Sequence, residues 1–202
     1  MLKTRTLFAA TLAVAATLAL SSCAAGTSTG TSPSSSAGTE SAVFNDADVM
    51  FAQMMIPHHE QAVQMSDDLL AKDGIDQRVT DLAEQIKAAQ EPEIVQLNGW
   101  LTDWDATDMG MSGTDGMDGM DGMGGSDGMM SDDDMMAFEN AQGTDADRLF
   151  LEQMTVHHEG ALTMAQLEID TGENADAQAL AANIVTTQTA EITVMAELLV
   201  TL

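Results

Sequence analysis

The chain has 202 residues, with 33 acidic side chains against six basic ones and a formal net charge of −27. A chain of this charge repels nucleic acid and anionic lipid surfaces and attracts cations, so nucleic acid is not an expected partner. Its single cysteine excludes an internal disulfide and a thiolate metal cluster.

Residues 1–22 read as a signal peptide. Lys3 and Arg5 form a basic start, and the apolar run from Leu7 to Leu20 is too short to span a bilayer. The run ends in Leu20-Ser21-Ser22-Cys23, which resembles a bacterial lipobox. That resemblance implies cleavage before Cys23 and lipidation of its thiol, by palmitate or a similar chain. The mature protein is therefore expected to be an exported lipoprotein, anchored on the extracytoplasmic side of a membrane. Residues 23–44, rich in Ser, Thr, Gly and Ala, read as the lipidated cysteine and a flexible tether.

Two segments, 45–105 and 144–202, are apolar-periodic and repeat one another. Asp48, Phe51, Met55, His58, His59, Glu60, Ala62 and Met65 match Asp147, Phe150, Met154, His157, His158, Glu159, Ala161 and Met164 at a constant offset of 99. Leu82, Ile86, Gln90, Glu93 and Ile94 then match Leu180, Ile184, Gln188, Glu191 and Ile192 at an offset of 98. One residue has therefore been lost from the turn between the two blocks. Each copy is predicted to be a helical hairpin. Asn45 and Thr144 are the expected N-caps, and Asp48 and Asp147 favour the positive helix end. Turns are expected at Lys72-Asp73-Gly74 and at Thr171-Gly172-Glu173-Asn174. Pro57 and Pro92 oppose this locally, since proline inside a helix costs about 3 kcal/mol. Their counterparts Val156 and Ala190 suit helix interiors, so helices that bend at the prolines are expected. The fold class is all-α, a four-helix bundle made of two duplicated hairpins. Residues 106–143 between them are expected to form a long disordered linker rich in Met, Asp and Gly.

Within each copy the apolar stripe carries unusual chemistry. Residues at i, i+3 and i+4 share a helix face, so Met55, His58 and His59 are neighbours, as are Met154, His157 and His158. Small Ala62 and Ala161 leave room beside the rings. Thioether and neutral imidazole are the side chains best suited to Cu(I) or Ag(I) when cysteine is missing. All four histidines of the chain occur in these two pairs. Met65 and Met164 are possible outer ligands, though core packing accounts for them equally well. On the second helices Gln90, Glu93, Gln188 and Glu191 fall on the apolar stripe. Levelling the two arms of each hairpin places the glutamines opposite the histidines and the glutamates about one turn further, near Met55 and Met154. A carboxylate or amide there can orient an imidazole through its second nitrogen. A polar layer that only fixes helix register would use the same residues. In the linker, Met117-Asp118-Gly119-Met120-Asp121-Gly122-Met123 is a three-residue repeat that can capture soft cations weakly.

With these residues in view the chain resembles bacterial domain-of-unknown-function family 305, whose hallmark joins a Met–His–His–Ala–Met helix to a helix with Gln-x-x-Glu-Ile. Here those are Met55 to Met65 with Gln90 to Ile94, and Met154 to Met164 with Gln188 to Ile192. The resemblance implies a ferritin-like four-helix fold and an exported location. It also implies, for some members, copper binding that protects cells from excess metal. The reading that follows is a non-enzymatic protein that sequesters copper or silver or passes it to a partner protein. Two readings compete with it: an anchored interaction module with a structural polar layer, and a ferritin-like di-iron oxidase. The second is poorly served, because neither inward glutamate is followed by a histidine three residues later.

Overall fold

The computed structural model describes residues 43–107 and 128–202. The signal peptide, Cys23 and its tether, and Met117, Met120 and Met123 lie outside the described residues. Five helices follow one another: α1 (Asp46–Leu70), α2 (Gln77–Asp103), α3 (Asp132–Asn140), α4 (Gly143–Thr171) and α5 (Ala175–Thr201). The fold is all-α, as expected. Helices α1 and α2 form one hairpin and α4 and α5 the other, with α1 packed on α4 at the centre. Both hairpin turns fall where the sequence places them. The helices run through Pro57 and Pro92. No described helix is long and apolar enough to cross a membrane.

The core obeys the duplication. One cluster holds Met55 and Leu97 from the first hairpin with Ala161, Met164, Leu180 and Ile184 from the second. The other holds their counterparts, Met154 and Met195 with Ala62, Met65, Leu82 and Ile86. Exchanging the two copies exchanges the clusters, so the hairpins are related by a pseudo-two-fold axis. Each hairpin supplies only part of each cluster, and the apolar stripes are buried only when both are present.

The helix ends are tied across the bundle by the same device on both sides. Asp48 closes a capping box with Asn45, and its carboxylate also accepts the backbone N–H groups of Glu173 and Asn174 at 3.1 and 2.9 Å. Asp147 accepts the N–H of Asp76 at 3.2 Å, at the equivalent turn. Burial pulls the Asp48 carboxyl upward, but the N–H donors of Asn45 and Asn174, a side-chain hydrogen bond from Glu168 and the N–H of Glu173 prevail and hold it below its usual value. At Asp147 burial wins over the bond from Asp76, and the pKa is raised.

Two expectations are corrected. Thr144 is not the N-cap of α4: the helix begins at Gly143, and Gln142 precedes it with no side-chain cap bond. Gly143 has φ +54°, a left-handed conformation that lets the chain turn sharply out of α3. The linker is also not disordered throughout, because residues 132–140 form α3. Ser131 and Asp134 make a capping box, and three aspartates occupy the first turn. Phe138 is fully buried, 6.1 Å from the Phe150 ring. Lys72 reaches over Phe138 to donate to the Glu139 carbonyl at 2.8 Å. The low-complexity composition around α3 hides it; the signals were the Ser–x–x–Asp cap and one buried aromatic. Replacing Phe138 with alanine is expected to destabilise the protein by about 3–5 kcal/mol, read as a lower denaturation midpoint in urea.

Candidate metal centre

His58 and His157 are equivalent residues at the centre of the α1–α4 contact. Their ring centroids lie 3.7 Å apart, with planes tilted by 33°. His59 and His158 flank them at 6.4 and 6.3 Å. All four rings are buried, with at most 1% exposure. They form one chain in the order His59, His58, His157, His158, between the two core clusters. The histidine pairs of the two copies therefore meet in one layer.

The helix stripe explains this placement. Met55, His58, Ala62 and Met65 step along one face of α1, with Met154, His157, Ala161 and Met164 along the same face of α4. When these faces pack antiparallel, the two histidine pairs coincide, and Met55 falls beside the other copy's Met164. Met154 likewise shares its cluster with Met65. Met55, Met65 and Met154 are fully buried and Met164 nearly so.

The flanking rings are held by carboxylates. His59 Nε2 lies 2.7 Å from Glu93 Oε2, and His158 Nε2 lies 2.8 Å from Glu191 Oε2. An ionised carboxylate only accepts, so in both pairs Nε2–H is the donor. The remaining lone pair then sits on Nδ1, and the Nδ1 atoms of His59 and His158 are buried with no hydrogen-bond partner among the described residues. This is the usual outer arrangement of a metal-binding imidazole, one nitrogen fixed by a carboxylate and the other free to bind.

Here the register expectation is corrected: the glutamates, not the glutamines, meet the histidines. Levelling Cα atoms ignores the lean of helical side chains toward their own N-terminus. In an antiparallel hairpin His59 leans away from the turn and Glu93 leans toward it, which closes the one-turn gap. Gln90 and Gln188 are buried at 2 and 3% exposure. The Gln90 amide and Gln188 Oε1 have no partner among the described residues.

Electrostatics favour the uncharged form of His157. Burial pushes the His157 pKa well below its ordinary 6.5, and the neighbouring His58, His158 and His59 push it further down. Neither His157 ring nitrogen makes a well-formed hydrogen bond among the described residues. A neutral imidazole with an unused lone pair is the ligand form. Among the described residues no three or more His, Cys, Asp or Glu side chains are grouped to hold an ion. Glu60 and Glu159 are exposed and contribute nothing to the layer.

Fold and site together define a class: an all-α bundle of duplicated hairpins around a buried layer of imidazoles, with thioethers in the core on both sides. The pattern of the domain of unknown function DUF305 matches residues 48–199, and the chain belongs to that family. A solved DUF305 fragment from Deinococcus radiodurans is 27% identical, with 78% of this chain and 98% of that one covered and a TM-score of 0.66. A DUF305 protein from Streptomyces coelicolor, whose name classes it with secreted proteins, is 32% identical over 76% of this chain and 91% of its own, with a TM-score of 0.65. CopM in its Cu(II)-bound form is 31% identical, with coverage of 75 and 95% and a TM-score of 0.58. CopM is also known in Cu(I)-bound, Ag-bound and apo forms. No curated protein matches the sequence.

The depressed His157 pKa has a consequence for the metal-free protein. Below pH 6.5 the unfolded chain binds a proton at this residue and the folded chain does not, so stability falls as pH drops from 6.5 toward the folded pKa. The difference in unfolding free energy between the native protein and His157→Gln is expected to change by about 1 kcal/mol per pH unit below pH 6. Urea titrations of both at pH 7, 6 and 5 measure it.

Proposed function

We propose that this protein is a non-enzymatic, exported lipoprotein that binds monovalent copper, or silver, in the buried histidine–methionine layer, and either sequesters the ion or hands it to a partner protein. One observation carries the reading: four buried imidazoles meet in a single layer, and among the described residues Nδ1 of His59 and of His158 has no hydrogen-bond partner. Met55, His58, His59, Met154, His157 and His158 are the proposed ligands. Glu93 and Glu191 fix the flanking rings, and Gln90, Gln188, Met65 and Met164 surround the site. Thioether and neutral imidazole together favour Cu(I) and Ag(I) over hard divalent ions. The forms in which CopM has been solved support that choice. An extracytoplasmic place is supported by the leader, by the lipobox-like Leu20 to Cys23 and by the name of the Streptomyces relative.

The di-iron reading finds less support. Glu93 and Glu191 are each engaged by a histidine, and the carboxylate-rich cluster that two irons need is not assembled from the described residues.

Anaerobic titration of the mature protein with Cu(I) against a chromophoric chelator tests the proposal. The double variant His58→Ala with His157→Ala is expected to weaken the tightest capture at least roughly a hundredfold, the scale on which lost ligand interactions act. Deleting residues 108–127 is expected to leave the tightest capture unchanged, removing at most weak binding by Met117, Met120 and Met123. The opposite result, tight capture lost only with the linker, overturns the assignment of the site to the bundle.

A further inference from the structure

The duplication predicts matching surfaces on the two sides of the α1–α4 contact, and the structure breaks that match. On one side α3 lies over Leu149, Phe150 and Gln153 of α4. Phe138 packs on Phe150, Leu149 belongs to the same apolar cluster, and Gln153 donates to the Asp134 carbonyl at 3.0 Å. The counterparts of these three residues, at an offset of 99, are Met50, Phe51 and Met54 of α1. Among the described residues, no helix covers them. They line a partly open groove of about 600 Å³ between α1 and α4, with Met164 and Glu168 on its other wall.

The groove differs from its filled twin in chemistry as well as in cover. Where the α3 side has Leu149, Gln153 and Leu69, the open side has Met50, Met54 and Glu168. Met50 and Met54 are four residues apart on α1, and Met164 and Glu168 four apart on α4, so each pair shares a helix face. Glu168 is only 1% exposed, and neither carboxyl oxygen has a hydrogen-bond donor among the described residues. Its near neighbour is the carboxylate of Asp48, which already accepts backbone N–H groups. Two carboxyls in that position can bond only by sharing a proton. Burial first, and then Asp48, raises the Glu168 pKa to about 8. A buried carboxyl without donors is costly unless a proton or a cation compensates it. An apolar wall built only to receive a helix, as on the α3 side, has no use for it.

We propose that this groove is a second binding site for a monovalent soft cation, with the thioethers of Met50, Met54 and Met164 and the carboxyl of Glu168 as its donors. The site adjoins the histidine layer through Met164, which shares a core cluster with Met55, and is more open to solvent. Three soft thioethers select against the hard cations that a net charge of −27 also attracts. One carboxylate neutralises the bound monovalent ion, which displaces the proton held at Glu168.

The test uses the full mature chain labelled with ¹³C at the methionine methyl groups and titrated with Ag(I), each resonance being assigned by a Met→Leu variant. The Met50, Met54 and Met164 methyls are expected to shift together along one saturation curve. Met54→Leu is expected to abolish the joint shift. Glu168→Gln, which removes the charge, is expected to weaken it at least roughly tenfold, as loss of one close charge contact implies. If Glu168→Gln fails to fold, Met50→Leu with Met54→Leu carries the test, since leucine already stands at position 149. In His58→Ala with His157→Ala the groove shifts are expected to persist. Unmoved Met50 and Met54 resonances at excess Ag(I), or shifts on separate curves, overturn the groove site. Shifts in the groove with Met55 and Met154 unmoved overturn the histidine layer instead.

Discussion

Everything in the bundle turns on the contact between α1 and α4, where His58 stacks on His157 across the pseudo-two-fold axis. Two neutral rings can meet at a centroid distance of 3.7 Å, whereas two imidazolium rings would repel in a medium that screens poorly. The contact therefore favours the neutral form of His157. It also sets the register of the hairpins: shifting α1 by one helical turn along α4 would separate Met55 from Met164 and Asp48 from the turn it caps. Core packing, end capping and imidazole chemistry share one alignment.

A layer of four buried imidazoles, in which Nδ1 of His59 and of His158 has no hydrogen-bond partner among the described residues, is expensive for a protein that uses it only as core. Buried polar groups without partners cost roughly 1–3 kcal/mol each by mutational measures, and apolar side chains of similar volume would pack as well. Glu93 and Glu191 reduce that burden at the outer rings and fix their tautomer, yet they leave Nδ1 bare. Both copies retain such atoms, which is what the proposed metal binding uses. The same logic applies at Glu168, on one side of the molecule alone.

The two copies differ where they face solvent over the central contact. One copy's surface is closed by α3, which Gln61 helps to hold through paired bonds with the Met130 backbone at 3.0 and 2.8 Å. Among the described residues no helix covers the other surface, which carries thioethers and a carboxyl instead. A duplicated fold can specialise in this way because each face contacts the shared layer from only one side. Substitutions on one face then leave the other's packing untouched.

Much of this protein was legible in its residues: the all-α class, the duplication, the hairpin turns, the helices running through Pro57 and Pro92, and the histidine stripe. Each depends on periodicity or on a constant offset, which are properties of order along the chain. The capping of α4 was misread because Gly143 takes a left-handed φ that composition does not reveal, and α3 was hidden by the Met, Asp and Gly around it. That Glu93 and Glu191, rather than the glutamines, grip the outer rings depends on the lean of side chains in two antiparallel helices. Whether the histidine pairs stay apart or share one layer was likewise open until α1 met α4. A single stripe specifies a face to be buried, but only its partner decides which atoms it meets there.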